Sequence, residues 1–297
     1  MSLPTFPIFK SITIADKTTI KKLTSQFEPY SDFDFTSLFC WNPNDANKVS
    51  LLNGNLIIQL ADYMQGELIF SVLGKSKIDE TLEELLLTRH ELKLVPDIVI
   101  EHIKNKQKFK ITEDRDQFDY IYKLEDHVTL PGKLHKSKRS HISRFIKANG
   151  HKVAINKVDF SRSIDKKNIE YLFDEWAKHK DKHDDDVAME RQAILRLLKY
   201  ARHLPLIGLI VYVDSKPEGF SITEKVHGNY AMYHFHKTLL GHRYIDTYFT
   251  NETSKILLEL GCKYINWEQD LGLEGLRASK TNYLPFKHLK KHSVGLK

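Results

Sequence analysis

The order of turn signals and hydrophobic periods constrains this chain of 297 residues more than any other feature, because the same series of elements can be read twice along it. In the second half, "HKVAINKVD" reads as a strand. Ile169, Leu172, Phe173 and Trp176 then recur at the i, i+3, i+4, i+7 spacing of a helix, and Ile194, Leu197, Leu198 and Ala201 mark another. "LIGLIVYVD", "KPEGFSITEK" and "NYAMYHFHKT" follow as three strands parted by Asp214-Ser215 and His227-Gly228, the pattern of an antiparallel meander. A helix over about 244–260 carries Ile245, Phe249, Thr253, Ile256, Leu257 and Leu260 on one stripe and meets Gly261 where a C-terminal cap is expected. "KYINW", a short helix and a strand near "PFKHLKKHSV" complete the series.

The first half offers a strand near "FKSITI", helical text over 17–27, and "VSLL" and "LIIQL" joined through Asn53-Gly54, with "ELIFSVLG" as the third meander strand. A helix around Leu82, Leu85 and Leu86, the short "LKLVP", a helix opening at Pro96 and the extended "FKITEDRDQFDYIY" come next. The expected fold class is α+β, with two tandem lobes, each a mixed, mainly antiparallel sheet flanked by helices. This order is similar to that of the N-acetyltransferase (GNAT) fold. The expected domains are an N-terminal lobe over 1–130, a basic connecting helix over 131–150, and a C-terminal lobe over 151–297 that carries the site.

A hydrophobic content of 41% is ample for a core. The formal charge of +6 favours an anionic partner such as nucleic acid, phosphate or acidic lipid. Cys40 and Cys262 stand too far apart for a zinc module or a disulfide framework. The opening "MSLPTFPIFK" has no signal-peptide pattern, and "LIGLIVYV" is too short to span a bilayer, so a cytoplasmic protein with no transmembrane segment is expected.

The densest basic stretch, "PGKLHKSKRSHISRFIK", holds Lys133, Lys136, Lys138, Arg139, Arg144 and Lys147. At helical spacing Leu134, Ile142, Phe145 and Ile146 share one face, and Lys138 falls among them, where an ammonium must snorkel or meet an anion. In "FDYIYKLEDHVTL", alternation sets Tyr120 and Tyr122 on one face, to stack a base or to pack in the core. His179 and His183 have the i, i+4 spacing of metal ligands but lack the glutamate of a hydrolytic zinc motif, so no metal site is expected.

Along "YAMYHFHK", Tyr233, Phe235 and Lys237 alternate with His234 and His236, and one of these histidines is a candidate proton carrier. In acyltransferases of this fold the loop from Lys237 to Arg243 cradles a pyrophosphate. "KTLLGHRYI" has one glycine and not the usual Gly-rich pattern, which argues against coenzyme A. In "NWEQDLGLEGLRASKTNYLP", Glu268, Asp270, Glu274, Arg277 and Lys280 crowd together. Tyr264, Asn266 and Glu268 share a strand face, Asp270 stands where a helix cap would lie, and Arg277 and Lys280 are neighbours on the helix.

Six separated motifs, "FDYIY", "LPGKLHKSKRSHISRF", Glu175-Trp176, "GFSITE", "HFHK" and "NWEQDLGLEGLRASKTNYLP", together resemble the family named for the C-terminal domain of phosphatidylglycerol lysyltransferase. The resemblance implies tandem GNAT-like lobes and acyl transfer, with aminoacyl-tRNA as donor and partner, a hydroxyl or amine as acceptor, and no separate cofactor. The best-known members are membrane synthases acting on a lipid hydroxyl. This chain resembles the stand-alone branch without their transmembrane half, so the lipid acceptor does not carry over, and peripheral contact with anionic membrane lipid stays an open alternative. The resemblance further implies that Glu268 or Asp270 recognises the α-ammonium or acts as base, with His234 as a rival base. Arg277, Lys280, Lys138 and Arg139 would hold tRNA phosphates, Lys237 would bind at the head of its loop, Tyr120 and Asn266 would orient the ester, and a backbone N–H over 233–235 would form the oxyanion hole. Two other readings stand beside it: an acyl-coenzyme A N-acyltransferase, and a non-catalytic module that holds RNA or anionic lipid.

Overall fold

A computed structural model describes residues 2–61, 68–179 and 185–297, so His183 lies outside the described residues. From the N-terminus, β1 (Lys10–Ser11), α1 (Lys17–Thr24) and α2 (Phe35–Cys40) lead into a meander of β2 (Lys48–Leu52), β3 (Asn55–Ala61) and β4 (Leu68–Leu73). Asn53 and Gly54, at φ 53° and 83°, supply the two left-handed residues that a tight hairpin between β2 and β3 requires. Then come α3 (Ile78–Leu86), β5 (Glu91–Pro96) and α4 (Asp97–Glu101), the last opening on Pro96, which has no N–H to lose. The extended run expected after it is two strands, β6 (Phe109–Glu113) and β7 (Asp119–Lys123), parted by a single tight turn of helix over Arg115–Gln117.

The second half contains α5 (Leu124–Thr129), α6 (Lys136–Asn149), β8 (Val153–Lys157), α7 (Ser163–Ala177), α8 (Asp185–Tyr200), β9 (Leu206–Val213), β10 (Lys216–Lys225), β11 (Tyr230–Thr238), α9 (Ile245–Glu259) and β12 (Tyr264–Asn266). The chain closes with α10 (Glu274–Thr281), β13 (Lys287–Leu289) and β14 (Lys291–Leu296). Among the described residues no helix is long and apolar enough to cross a membrane.

Two compact units result. One comprises Met1–Tyr120, Glu268–Asn282 and Lys287–Lys297; the other comprises Ile121–Trp267 and Tyr283–Phe286. Each has the strand, helices, meander, helix, strand order of a GNAT-like lobe. The first unit differs from expectation in two ways. Its strands form two sheets, β1-β2-β3-β4 and β5-β14-β6, and the final strand of the chain belongs to it. The cause is that β14 pairs antiparallel with both β5 and β6, while Val294 enters the core of Ile57, Phe70, Leu82, Leu85 and Val95.

In the second unit the strand order is β7-β12-β11-β10-β9-β8, with β11 and β12 parallel. Leu209, Val211, Ile245 and Phe249 form a core with Phe145 of α6, so the basic helix is part of this unit and not a connector. Lys138 is buried, as its spacing predicts. Leu134 is not: it is 78% exposed, because the helix begins only at Lys136 and the inward arc is Lys138, Ile142 and Phe145. At the end of α9, Cys262 N–H reaches Leu257 O and Gly261 N–H reaches Leu258 O, a Schellman cap with Gly261 at φ 83°.

Strand β11 departs from simple alternation. Ile222 of β10 stands opposite Phe235, but the next residue, Thr223, stands opposite Tyr233, so His234 is a bulged residue. The extra residue shifts the alternation by one, so that Tyr233 and His236 come to share a face.

Candidate active site

The segment after β12 leaves extended geometry at once. Glu268, Leu271 and Gly272 take φ of 58°, 56° and 75°, and this tight path brings the Asp270 carboxylate into the first unit's interior. Asp270 accepts from Arg277 Nε at 2.9 Å and Nη2 at 2.7 Å, from Tyr120 Oη at 2.5 Å, from Gly272 N–H at 2.9 Å and from Arg115 Nη1 at 3.3 Å. Burial raises its pKa, but the hydrogen bonds from Arg277, Tyr120 and Gly272 outweigh this and hold the carboxyl at about 2. A carboxylate so stabilised is a poor base. Asp270 braces the loop and the helix.

Its partners are equally committed. Arg277 also donates to Asp116 at 2.5 Å, and Arg115 Nη2 donates to Tyr120 Oη at 2.7 Å. Tyr120 is fully buried, and Arg277 is engaged by two carboxylates. Gly272 closes the loop where a side chain cannot: a Cβ there would lie 2.8 Å from Asp116 Oδ2, at a φ that disfavours L residues. Gly272→Ala should therefore destabilise the fold by about 1–3 kcal/mol, checked by a lower urea midpoint at constant m value.

Glu268 is half-buried. Ser37 Oγ lies 3.4 Å from its Oε1, and its carbonyl accepts from Tyr120 N–H at 3.2 Å. Lys280, 7% exposed, donates from Nζ to Gln269 O at 2.5 Å. Burial pushes its pKa down to about 8, although Glu268, Asp119 and Asp270 pull it upward. The unit thus holds a half-buried carboxylate at the head of the loop and, on α10, an ammonium whose pKa burial lowers to about 8.

Beneath them lies a buried charged cluster that local sequence did not mark. Lys291 Nζ donates to Asp119 Oδ1 at 2.8 Å and is also ion-paired with Asp32. Ser31 N–H and Oγ bond Asp119 at 2.8 and 2.7 Å, and Gln269 Nε2 bonds Asp32 Oδ1 at 2.7 Å. Asp32, Lys291, Arg115 and Asp116 have no periodicity that would distinguish them from surface charges.

The remaining candidates lie in the second unit. Asn266 is fully buried in β12 between β11 and β7. Lys138 Nζ stands 4.2 Å from the centroid of the Tyr283 ring, with its pKa lowered by burial. Arg139 donates to the carbonyls of Leu130 and Gly132, which ties the turn before α6. Lys237 pairs with Glu190 at 2.8 Å and lies 3.9 Å from the centroid of the Trp176 ring. His234 is buried with its Nε2 3.7 Å from Glu224 Oε2.

This chain matches a known family. The model for the C-terminal part of phosphatidylglycerol lysyltransferase matches residues 24–294, and the chain belongs to that family, an acyltransferase class of enzyme. Among solved structures, a conserved protein of unknown function from Bacteroides thetaiotaomicron VPI-5482 is 25% identical over 100% of both chains, with a TM-score of 0.85. The C-terminal domain of a putative lysylphosphatidylglycerol synthetase from Agrobacterium fabrum is 12% identical over 96% of this chain and 92% of that one (TM-score 0.63). L-PGS from Bacillus licheniformis is 12% identical over 95% and 92% (TM-score 0.62). These last two show likeness of fold. No curated protein matches.

Proposed function

We propose that the protein transfers an aminoacyl group from aminoacyl-tRNA to a hydroxyl or amine acceptor. The observation that carries this reading over a coenzyme A donor concerns Lys237. The basic residue at the head of the would-be pyrophosphate loop is held by Glu190 and Trp176, and the loop has a single glycine to let a phosphate approach its backbone. Family membership supports the acyl-transfer chemistry.

In this reading Glu268 receives the α-ammonium of the donor, and the Lys280 ammonium faces the developing charge of the ester. The tRNA phosphates would be drawn by the chain's formal excess of six positive charges. Steep salt dependence of tRNA binding is the expected signature.

The test incubates the purified protein with a pool of labelled aminoacyl-tRNAs and cell extract and follows which label moves and onto what. Glu268→Gln should lower kcat/KM by about tenfold to a hundredfold, the loss of one charge-assisted hydrogen bond to an ammonium. Absence of transfer from every charged tRNA, together with protection by coenzyme A in thermal unfolding, would replace this reading with the acyl-coenzyme A one.

A further inference from the structure

The formal excess of +6 is not spread along the chain. Between Asp126 and Asp159 stand eight Lys or Arg residues and no Asp or Glu, so the rest of the chain is net negative. That segment lies wholly in the second unit. On its helix α6, at about 100° per residue, Lys136, Ser140, Ser143 and Lys147 fall on one line, flanked by Arg139 and Arg144. Lys138 and Phe145, on the opposite side, are buried, whereas Lys136, Arg139, Ser143, Arg144 and Lys147 are exposed. Acidic side chains near a helix start offset the positive end of its dipole. α6 opens instead on Lys136, Lys138 and Arg139 with no acid in its first turn, which costs stability and leaves a positive field facing outward.

The turn before α9 adds to this face. Tyr244 takes a φ of 71°, uncommon for an aromatic residue, and its ring lies nearly parallel to that of His141 of α6, with centroids 4.1 Å apart. Arg144 Nη1 donates to Tyr244 Oη at 3.4 Å, and the Arg243 guanidinium lies 4.7 Å from the centroid of the same ring. Two exposed guanidinium groups from different elements are thereby held at one place. Burial lowers the pKa of His141, and the charges of Lys138, Arg144 and Arg243 lower it further.

We propose that the outward side of α6 and the turn before α9 dock the phosphate backbone of RNA, with Lys136, Arg144, Lys147 and Arg243 on phosphates and Ser140 and Ser143 donating beside them. The inference deepens the aminoacyl-transfer reading and rests on it for the choice of tRNA as the RNA. Lys152 and Arg139 have other tasks: Lys152 pairs with Asp214 at 3.0 Å, and Arg139 donates to the carbonyls of Leu130 and Gly132. The line from Lys136 to Lys147 runs about 17 Å, long enough to follow a strand past more than one phosphate. A polyanion in water suits this face better than a bilayer. A helix lying in a membrane surface turns its apolar side to the lipid, whereas α6 packs Phe145 against Leu209, Val211, Ile245 and Phe249 and presents cations and hydroxyls, with Ile146 at the edge.

The experiment measures binding of fluorescently labelled, uncharged tRNA by the full-length protein across a salt series. The variants are Lys136→Glu with Lys147→Glu, Arg144→Ala with Arg243→Ala, and, as a control with the same change of charge as the first pair, Lys104→Glu with Lys106→Glu on exposed positions of the first unit. Circular dichroism checks folding. We expect both face variants to raise Kd at least about tenfold and to lower the slope of log K against log salt by about one to two, with the control within about threefold of the wild type. Equal losses in all three variants mean that net charge alone draws RNA and overturn the face, as do folded face variants that bind like the wild type. Binding to vesicles rich in phosphatidylglycerol but not to tRNA overturns RNA as the partner. A transfer assay separates this inference from the donor reading. Transfer by the wild type with unchanged KM for tRNA in the face variants removes the face alone, whereas tRNA binding that the face variants lose, without transfer by the wild type, supports the face and removes the donor reading.

Discussion

Replacing Asp270 with alanine should cost about 3–5 kcal/mol of stability, because it strips a buried carboxylate from two guanidinium groups, a phenol and a backbone N–H at once. Its side chain is fully buried, and the donors are Arg277, Arg115, Tyr120 and Gly272. Asp270→Asn keeps the shape and one acceptor oxygen and should cost less. Chemical denaturation at constant m value measures both, and an alanine variant within about 1 kcal/mol of the wild type would show that the network is not what holds the loop. The same group predicts an acid transition. Its folded pKa, about 2, lies below the unfolded value, so the unfolded chain binds more protons between about pH 4 and pH 2. Stability from Asp270 is complete above that window and is lost as the pH falls through it. Asp270→Asn should flatten this limb of the stability profile.

Lys291→Met should destabilise the protein comparably, by about 3–5 kcal/mol near neutral pH, for the opposite electrostatic reason. The ammonium is fully buried and is the cation of the Asp32–Asp119 pair. Removing it leaves two neighbouring buried carboxylates that cannot both stay ionised. The Asp32 carboxyl is already raised by burial even with Lys291 present. Without the lysine the folded-state carboxyl pKa values rise above their unfolded values, so the penalty is present above those unfolded values and shrinks as the pH falls toward them. Denaturation at pH 7 and pH 5 should therefore give a smaller difference from wild type at the lower pH. Equal penalties at both would mean that the loss is one of packing and not of charge.

Much of the architecture is legible in local pattern. Asn53-Gly54 fixes a hairpin and Gly261 ends α9, because each demands a left-handed backbone that few neighbouring residues permit. Lys138 appears inward-facing from its spacing alone and is so. By contrast, the expectation that Tyr233 and His236 lie on opposite strand faces fails because a bulge inserts one residue, and no residue type announces it. The partners of Arg277, Arg139 and Lys237 are equally hidden from local pattern. All three are charged residues of the right kind, but each is engaged with a partner 7 to 161 positions away, and charge alone does not say with what a side chain pairs.

The sequence by itself determined the repeated element order, the family, and the stretch around Glu268–Lys280 as the place where charge concentrates, since these depend on periodicity, turn chemistry and composition within short windows. Only the tertiary structure decided which partners hold those charges. That outcome depends on Asp116, Tyr120, Asp32 and Lys291, brought from distant parts of the chain into a low-dielectric interior, where a carboxylate's neighbours and not its identity set its protonation and its role.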